Sequence, residues 1–230
     1  MSDLDGPLRD LDGLLHAQVI SSFLDRGHAP SSSELAASLE VDLASVAASL
    51  RRLDAGHGLV LHPGTVAIWL AHPFSASPTT VCVTEGERTW WAPCMWCAAG
   101  VLALVDSPVL VHARWGGEHE PLVLAPDVSS DPLIHFSSPP REAWSNVVHW
   151  CATLQPFRTA ADIDAWCERH RQPRGEAVPW SQVLALGRAW YGSHRDRDWR
   201  KWTTRQAAAI FESVGLRTPF WQLPDSDAAF

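Results

Sequence analysis

Leu8, Leu11, Leu14, Leu15, Val19, Phe23 and Leu24 recur at three- and four-residue spacing, which predicts an amphipathic helix over about 8–25. Ser31 and Glu34 form a capping box, a hydroxyl and a carboxylate that satisfy each other's backbone amides, and they open a second short helix. Asp42 reads as the N-cap of a third, with Val46, Leu50 and Leu53 on one face and a stop at Gly56. "LVLHPGTVAIWLA" then predicts a hairpin turning at Pro63-Gly64. Three helices and a hairpin make a winged-helix-like pattern, assigned here to residues 1–75. "HPFSASPTT" (72–80) is rich in Pro and Ser and reads as a linker.

The remainder, 76–230, alternates short strand pairs with helices. "TVCVTEG" and "RTWWAP" predict two strands, followed by a helix over about 96–105. "VLVHARW" and "EPLVLAP" predict two more, joined across Gly116-Gly117. Helices are expected over 159–170, over "WSQVLALGRAWYG", and over "TTRQAAAIFESVGL" ending at Gly215. There is no regular βαβ series. The expected class is α+β, a helical winged-helix-like domain followed by a core of small mixed or antiparallel sheets.

Composition narrows the function classes. The 230 residues are 46% hydrophobic and 19% charged, as in an ordinary globular protein. No apolar run reaches the roughly 18 residues of a membrane span. The acidic start, "MSDLDGPLRDLDG", lacks the basic-then-apolar order of a signal peptide, so a cytoplasmic location and no membrane partner are expected. Net charge is −8, and residues 1–80 hold four basic against nine acidic residues. A DNA-reading helix needs phosphate contacts around it, and only Arg51 and Arg52 offer them, so nucleic acid is not an expected partner. Lys201 is the only lysine, and thirteen tryptophans stand against one tyrosine.

There are five cysteines, at 82, 94, 97, 151 and 167. An odd number in a reducing compartment argues against a disulfide framework and for metal binding or reactivity. Cys94 and Cys97 form a C-x-x-C box in "RTWWAPCMWCAAGVLALV". Three chemistries compete for it. Redox exchange suits a C-x-x-C at a helix start, where amides and the helix dipole favour a thiolate. Here, however, Pro93 precedes the pair instead of separating it. A structural zinc needs two further ligands, and no second C-x-x-C or H-x-x-x-H supplies them, although Cys151, His149 or His112 could be brought near by folding. The third chemistry is direct attack on a soft metal.

The third reading has a family behind it. "WAPCMWCAAGVLALV", with "CATLQPFRTAADIDAW" about 57 residues later, resembles the alkylmercury lyase (organomercurial lyase) family. Cys94 falls on that family's first cysteine and Cys151 on its second. Phe157 follows six residues on, and a helix tryptophan, Trp166, nine beyond. The preceding helical module resembles the family's N-terminal domain, and the likeness spans most of residues 8–170. One position departs. Where the family has an aspartate that handles the proton delivered to the leaving carbon, this chain has Cys97.

The resemblance implies cleavage of a carbon–mercury bond in a small-molecule substrate. Cys94 and Cys151 would grip the metal, and Cys97 would hold the proton-handling place, a role open to a thiol that is protonated at neutral pH. No cofactor is called for. Three thiolates also suit Hg(II), Zn(II) or Cu(I), so a metal-binding or metal-sensing protein is the alternative, as is a relative recruited to other small-molecule chemistry. Trp90, Trp91, Trp96 and Trp150 are candidate pocket walls. His149 would share a face with Cys151 if that segment is a strand. Cys82 and Cys167 read as packing residues. "LGRAWYGSHRDRDWRKWT" (186–203) matches nothing, and its arginines read as a solvated, charge-paired loop.

Overall fold

The computed structural model describes residues 5–105, 107–125 and 131–230. Helix α1 (Asp5–Arg26) leads into α2 (Ser32–Leu39) and α3 (Leu43–Ala55). The predicted caps are in place: Ser31 and Glu34 close their box on α2, and Asp42 accepts the Ser45 amide at 2.7 Å. A hairpin follows, β1 (Val60–Leu61) against β2 (Ile68–Ala71), with Gly64 at φ 74° in its turn.

The segment 72–80 is not a free linker. After the tight turn His72-Pro73 it forms β3 (Phe74–Ser75), which pairs with β2 and with β5 (Arg88–Ala92). Its Pro and Ser content suggested a loop, but Phe74 is fully buried and draws the strand onto the sheet. One antiparallel sheet therefore runs β1-β2-β3-β5-β4-β6-β7, where β4 is Val81–Glu85, β6 Leu110–Arg114 and β7 Pro121–Leu124. Buried side chains from α1–α3 and from the later elements form one continuous apolar cluster.

A second antiparallel sheet has the order β10-β8-β9, from β8 (Leu133–Phe136), β9 (Pro156–Phe157) and β10 (Glu176–Pro179). Helix α6 (Ala160–His170) packs beside it. Phe157 and Trp166 meet there edge to face at 5.6 Å, and the Trp166 indole donates to the Gly116 carbonyl at 2.9 Å. These two motif residues are framework: they tie β9 and α6 to the β6–β7 turn.

Helix α4 (Met95–Leu104) is apolar on all sides and correspondingly buried. It crosses α7 (Trp180–Tyr191) closely because the crossing is made of small residues. A Cβ on Gly100 would lie 2.3 Å from a Tyr191 ring carbon, and one on Gly187 would lie 2.7 Å from Ala99. Helices α5 (Val147–Ala152) and α8 (Thr204–Ser213) complete the order. No described helix is long and apolar enough to cross a membrane.

Candidate active site

The C-x-x-C box sits where β5 passes into α4. Cys94 is the N-cap, with extended backbone (φ −162°, ψ −179°), and its sulfur accepts the Cys97 amide at 3.4 Å. A helix N-terminus presents unpaired amides and the positive end of the helix dipole, so it favours an anion in that place. The Cys97 thiol lies one turn on, 3.4 Å from the Cys94 sulfur. Cys151 arrives from α5. Its sulfur contacts His72 Nε2 at 3.7 Å, and the ligand atoms of His72, Cys97 and Cys151 all lie within 4.8 Å of one another. The three cysteines are 1–3% exposed.

Their protonation is shared unequally. Burial opposes charge on Cys94, but hydrogen bonds from the Cys151 and Cys97 thiols, then from the Cys97 and Trp96 amides, outweigh it and hold its pKa well below that of an ordinary thiol. Burial and the adjacent Cys94 push Cys97 well above the ordinary value, against a lowering hydrogen bond with Cys151. Cys151 is likewise raised, by its hydrogen bonds to Cys94 and Cys97 and then by burial. The lowered pKa falls on Cys94 and the raised ones on Cys97 and Cys151.

The cavity in front of these sulfurs is small, about 40 Å³. Trp96 and Trp150 line it, edge to face at 6.0 Å. Of the other expected wall residues, Trp90 is buried elsewhere, its indole donating to the Phe23 carbonyl at 2.8 Å, and Trp91 pairs with Cys82 across the sheet. His149 also stands outside. Residues 147–152 are helical, not extended, because Asn146 caps the turn through the His149 amide. Two residues apart on a helix point to different sides, so His149 is exposed while Cys151 is buried. His112 pairs with Thr84 at 2.9 Å, on the sheet. Cys82 is half-buried in β4, and Cys167 packs on His135 at 3.7 Å in the second, smaller cluster.

Several lining residues were not anticipated, and most come from the stretch that matched nothing. Trp190, Tyr191, His194, Trp199 and Lys201 form the wall opposite the thiols. The Tyr191 hydroxyl lies 3.7 Å from the Cys97 sulfur. Burial, and then the adjacent Cys97 and Cys94 sulfurs, raise that phenol's pKa well above its ordinary value. Lys201 places its ammonium over the Trp144 ring, 4.5 Å from the centroid, and burial lowers its pKa to about 7. His72 is lowered to about 3, by burial and then by Lys201, so it is a neutral imidazole beside Cys151. The signals for this wall were faint: a lone lysine, a lone tyrosine, and tryptophans at irregular spacing.

The family profile for alkylmercury lyase (MerB) matches residues 74–192, just over half of the chain and all three cysteines. The chain belongs to the alkylmercury lyase family. Among solved structures, one described as the mercury-bound form of MerB2 superposes with a TM-score of 0.61 at 18% identity, over 84% of this chain and 98% of that one. At that identity the likeness speaks for the fold. No curated protein sequence matches. Within this family, then, the chain places three buried, free cysteines in one cavity, with Cys97 one helical turn from the Cys94 N-cap.

Proposed function

We propose that the protein cleaves the carbon–mercury bond of small organomercurials. The observation that carries this reading is three buried sulfurs facing one cavity, with Cys94 at the N-cap of α4 and its pKa held well below that of an ordinary thiol. Mercury is soft and prefers thiolate to water or carboxylate. The Cys94 thiolate attacks R–Hg–X, X leaves, and R–Hg–Cys94 forms. The Cys97 thiol then donates its proton to the departing carbon as the C–Hg bond breaks, releasing R–H. Cys151 binds mercury and passes its own proton to Cys97. One C–Hg bond and one S–H bond are lost, and one C–H and one Hg–S bond are made, leaving mercury on Cys94 and Cys151 with Cys97 restored. The Tyr191 hydroxyl steadies Cys97 while it carries the transient charge.

A cavity of about 40 Å³ is small beside the roughly 150 Å³ that accommodates benzene. The alkyl end of the substrate class fits it best. A second reading rests on the His72, Cys97 and Cys151 cluster, whose ligand atoms within 4.8 Å suit a retained Zn(II), Cu(I) or Hg(II). Reduced protein, given methylmercury or phenylmercury and excess thiol, separates the two. Methane or benzene released over many turnovers, and lost in Cys94→Ser, supports the lyase. No hydrocarbon, with one metal held per chain by mass spectrometry, sinks it in favour of a binding protein. If neither hydrocarbon nor bound metal is found, the reading that remains is a family member recruited to other chemistry.

A further inference from the structure

The cavity is lined by hydrogen-bond donors from both of its sides whose acceptors are missing. Lys201 has no ion pair among the described residues, and no aspartate or glutamate side chain lines the cavity. Trp96 and Trp199 are 5% and 6% exposed, and both indole N–H groups are buried without a partner. An indole nitrogen and an ammonium can only donate. The two indole N–H groups are buried and unpaired, which is costly, and beside the half-buried Lys201 ammonium they mark the place of an absent acceptor. The surrounding imidazoles do not compete as cations: burial, followed by repulsion from Lys201, lowers both His57 and His72.

We propose that Lys201, with the Trp96 and Trp199 indole N–H groups, forms a subsite for a carboxylate carried on the organic arm of the substrate. The inference rests on the lyase reading for its substrate, and on the unpaired donors for its chemistry. It makes Lys201 a binding residue that sets preference among organomercurials, separate from the sulfurs that break the bond. Burial that disfavours the free ammonium is offset when a carboxylate sits against it.

The test compares 2-carboxyethylmercury with ethylmercury on the reduced full chain, together with a titration of propionate followed by tryptophan fluorescence. The expected result is a kcat/KM ratio favouring the carboxylate substrate, which falls about ten- to a hundredfold in Lys201→Met and is largely kept in Lys201→Arg. Propionate should quench saturably in the parent chain and in Lys201→Arg but not in Lys201→Met. A ratio unmoved by Lys201→Met, or propionate binding that survives it, overturns the subsite. If neither mercurial is cleaved, the lyase reading fails, and the propionate titration still decides the subsite by itself. Lys201→Met removes a half-buried charge that has no ion pair among the described residues, keeps an apolar stem beside Trp144, and is expected to fold. A melting temperature at or above the parent's confirms that the comparison is between folded proteins.

Discussion

The two sides of the cavity are built in different ways. The thiol side is local: Cys94 and Cys97 share one helical turn, and the Cys94 backbone caps α4 whatever lies across from it. The facing wall is assembled from the end of α7 and the loop behind it, with Trp144 reaching in from before α5. Its position depends on how tightly α4 and α7 cross. Reactivity of the sulfurs should therefore survive damage to the wall, whereas proton delivery and substrate choice should not.

The largest effects are expected on the thiol side. Cys94→Ser and Cys151→Ser should each lower turnover of methylmercury by about a thousandfold or more, because an alcohol at neutral pH is neither a thiolate nor a soft ligand. Methane release checks this directly. Cys97→Ala should cost on the order of a hundredfold or more, the usual worth of a positioned proton donor. Cys97→Asp should retain or raise activity, since a carboxyl returns to the place where the family carries one. If Cys97→Asp is as dead as Cys97→Ala, the thiol itself is required as a ligand.

Next comes the hinge between the two sides. Gly100→Ala would put a methyl group 2.3 Å from the Tyr191 ring, so α4 and α7 must separate. Overpacking of this kind costs about 1–3 kcal/mol, or roughly 2–10 °C in melting temperature for a chain of this size. Calorimetry reads the loss. At 25 °C, with the chain still folded, Cys94 should keep its low pKa while turnover falls. Sulfur alkylation separates the two quantities. Because the Cys94 pKa is depressed, its thiolate persists as pH falls below the ordinary thiol value and is lost only further down. Iodoacetamide should therefore label Cys94 ahead of the other cysteines at pH values below the ordinary thiol pKa, in the parent and in Gly100→Ala alike. Labelling of Cys97 or Cys151 in its place would reverse the assignment of the thiolate.

The same division explains what the chain discloses when read as a string. The caps at Ser31 and Asp42 are short-range devices, and they stand where the spacing puts them. So do the hairpins and the C-x-x-C at the head of α4. Cys94 and Cys151 could be joined across 57 residues only through family resemblance, because nothing in periodicity links a helix cap to a one-and-a-half-turn helix elsewhere. His72 was hidden inside a Pro- and Ser-rich stretch that reads as a loop until Phe74 is known to be buried. His149 was misplaced because Asn146 caps a helix too short to show a period. Tyr191 and Lys201 became site residues through one glycine-lined helix crossing, a tertiary event that leaves no local mark.

The smallest predicted effect sharpens the comparison most, because it concerns a hydroxyl by which the wall meets the thiols. Tyr191→Phe removes a hydroxyl 3.7 Å from the Cys97 sulfur and leaves the ring that packs on Gly100. One hydrogen bond of this kind is worth about 0.5–1.5 kcal/mol, so turnover should fall by roughly two- to tenfold with little change in melting temperature. The hydroxyl acts by stabilising charge on Cys97 as the proton departs. Tyr191→Phe should then cost much less in the Cys97→Ala background, where no charge forms there. The double-mutant cycle measures the difference. Equal losses in both backgrounds would mean that Tyr191 serves only to fill the wall, and that Cys97 carries its proton without help from the far side of the cavity.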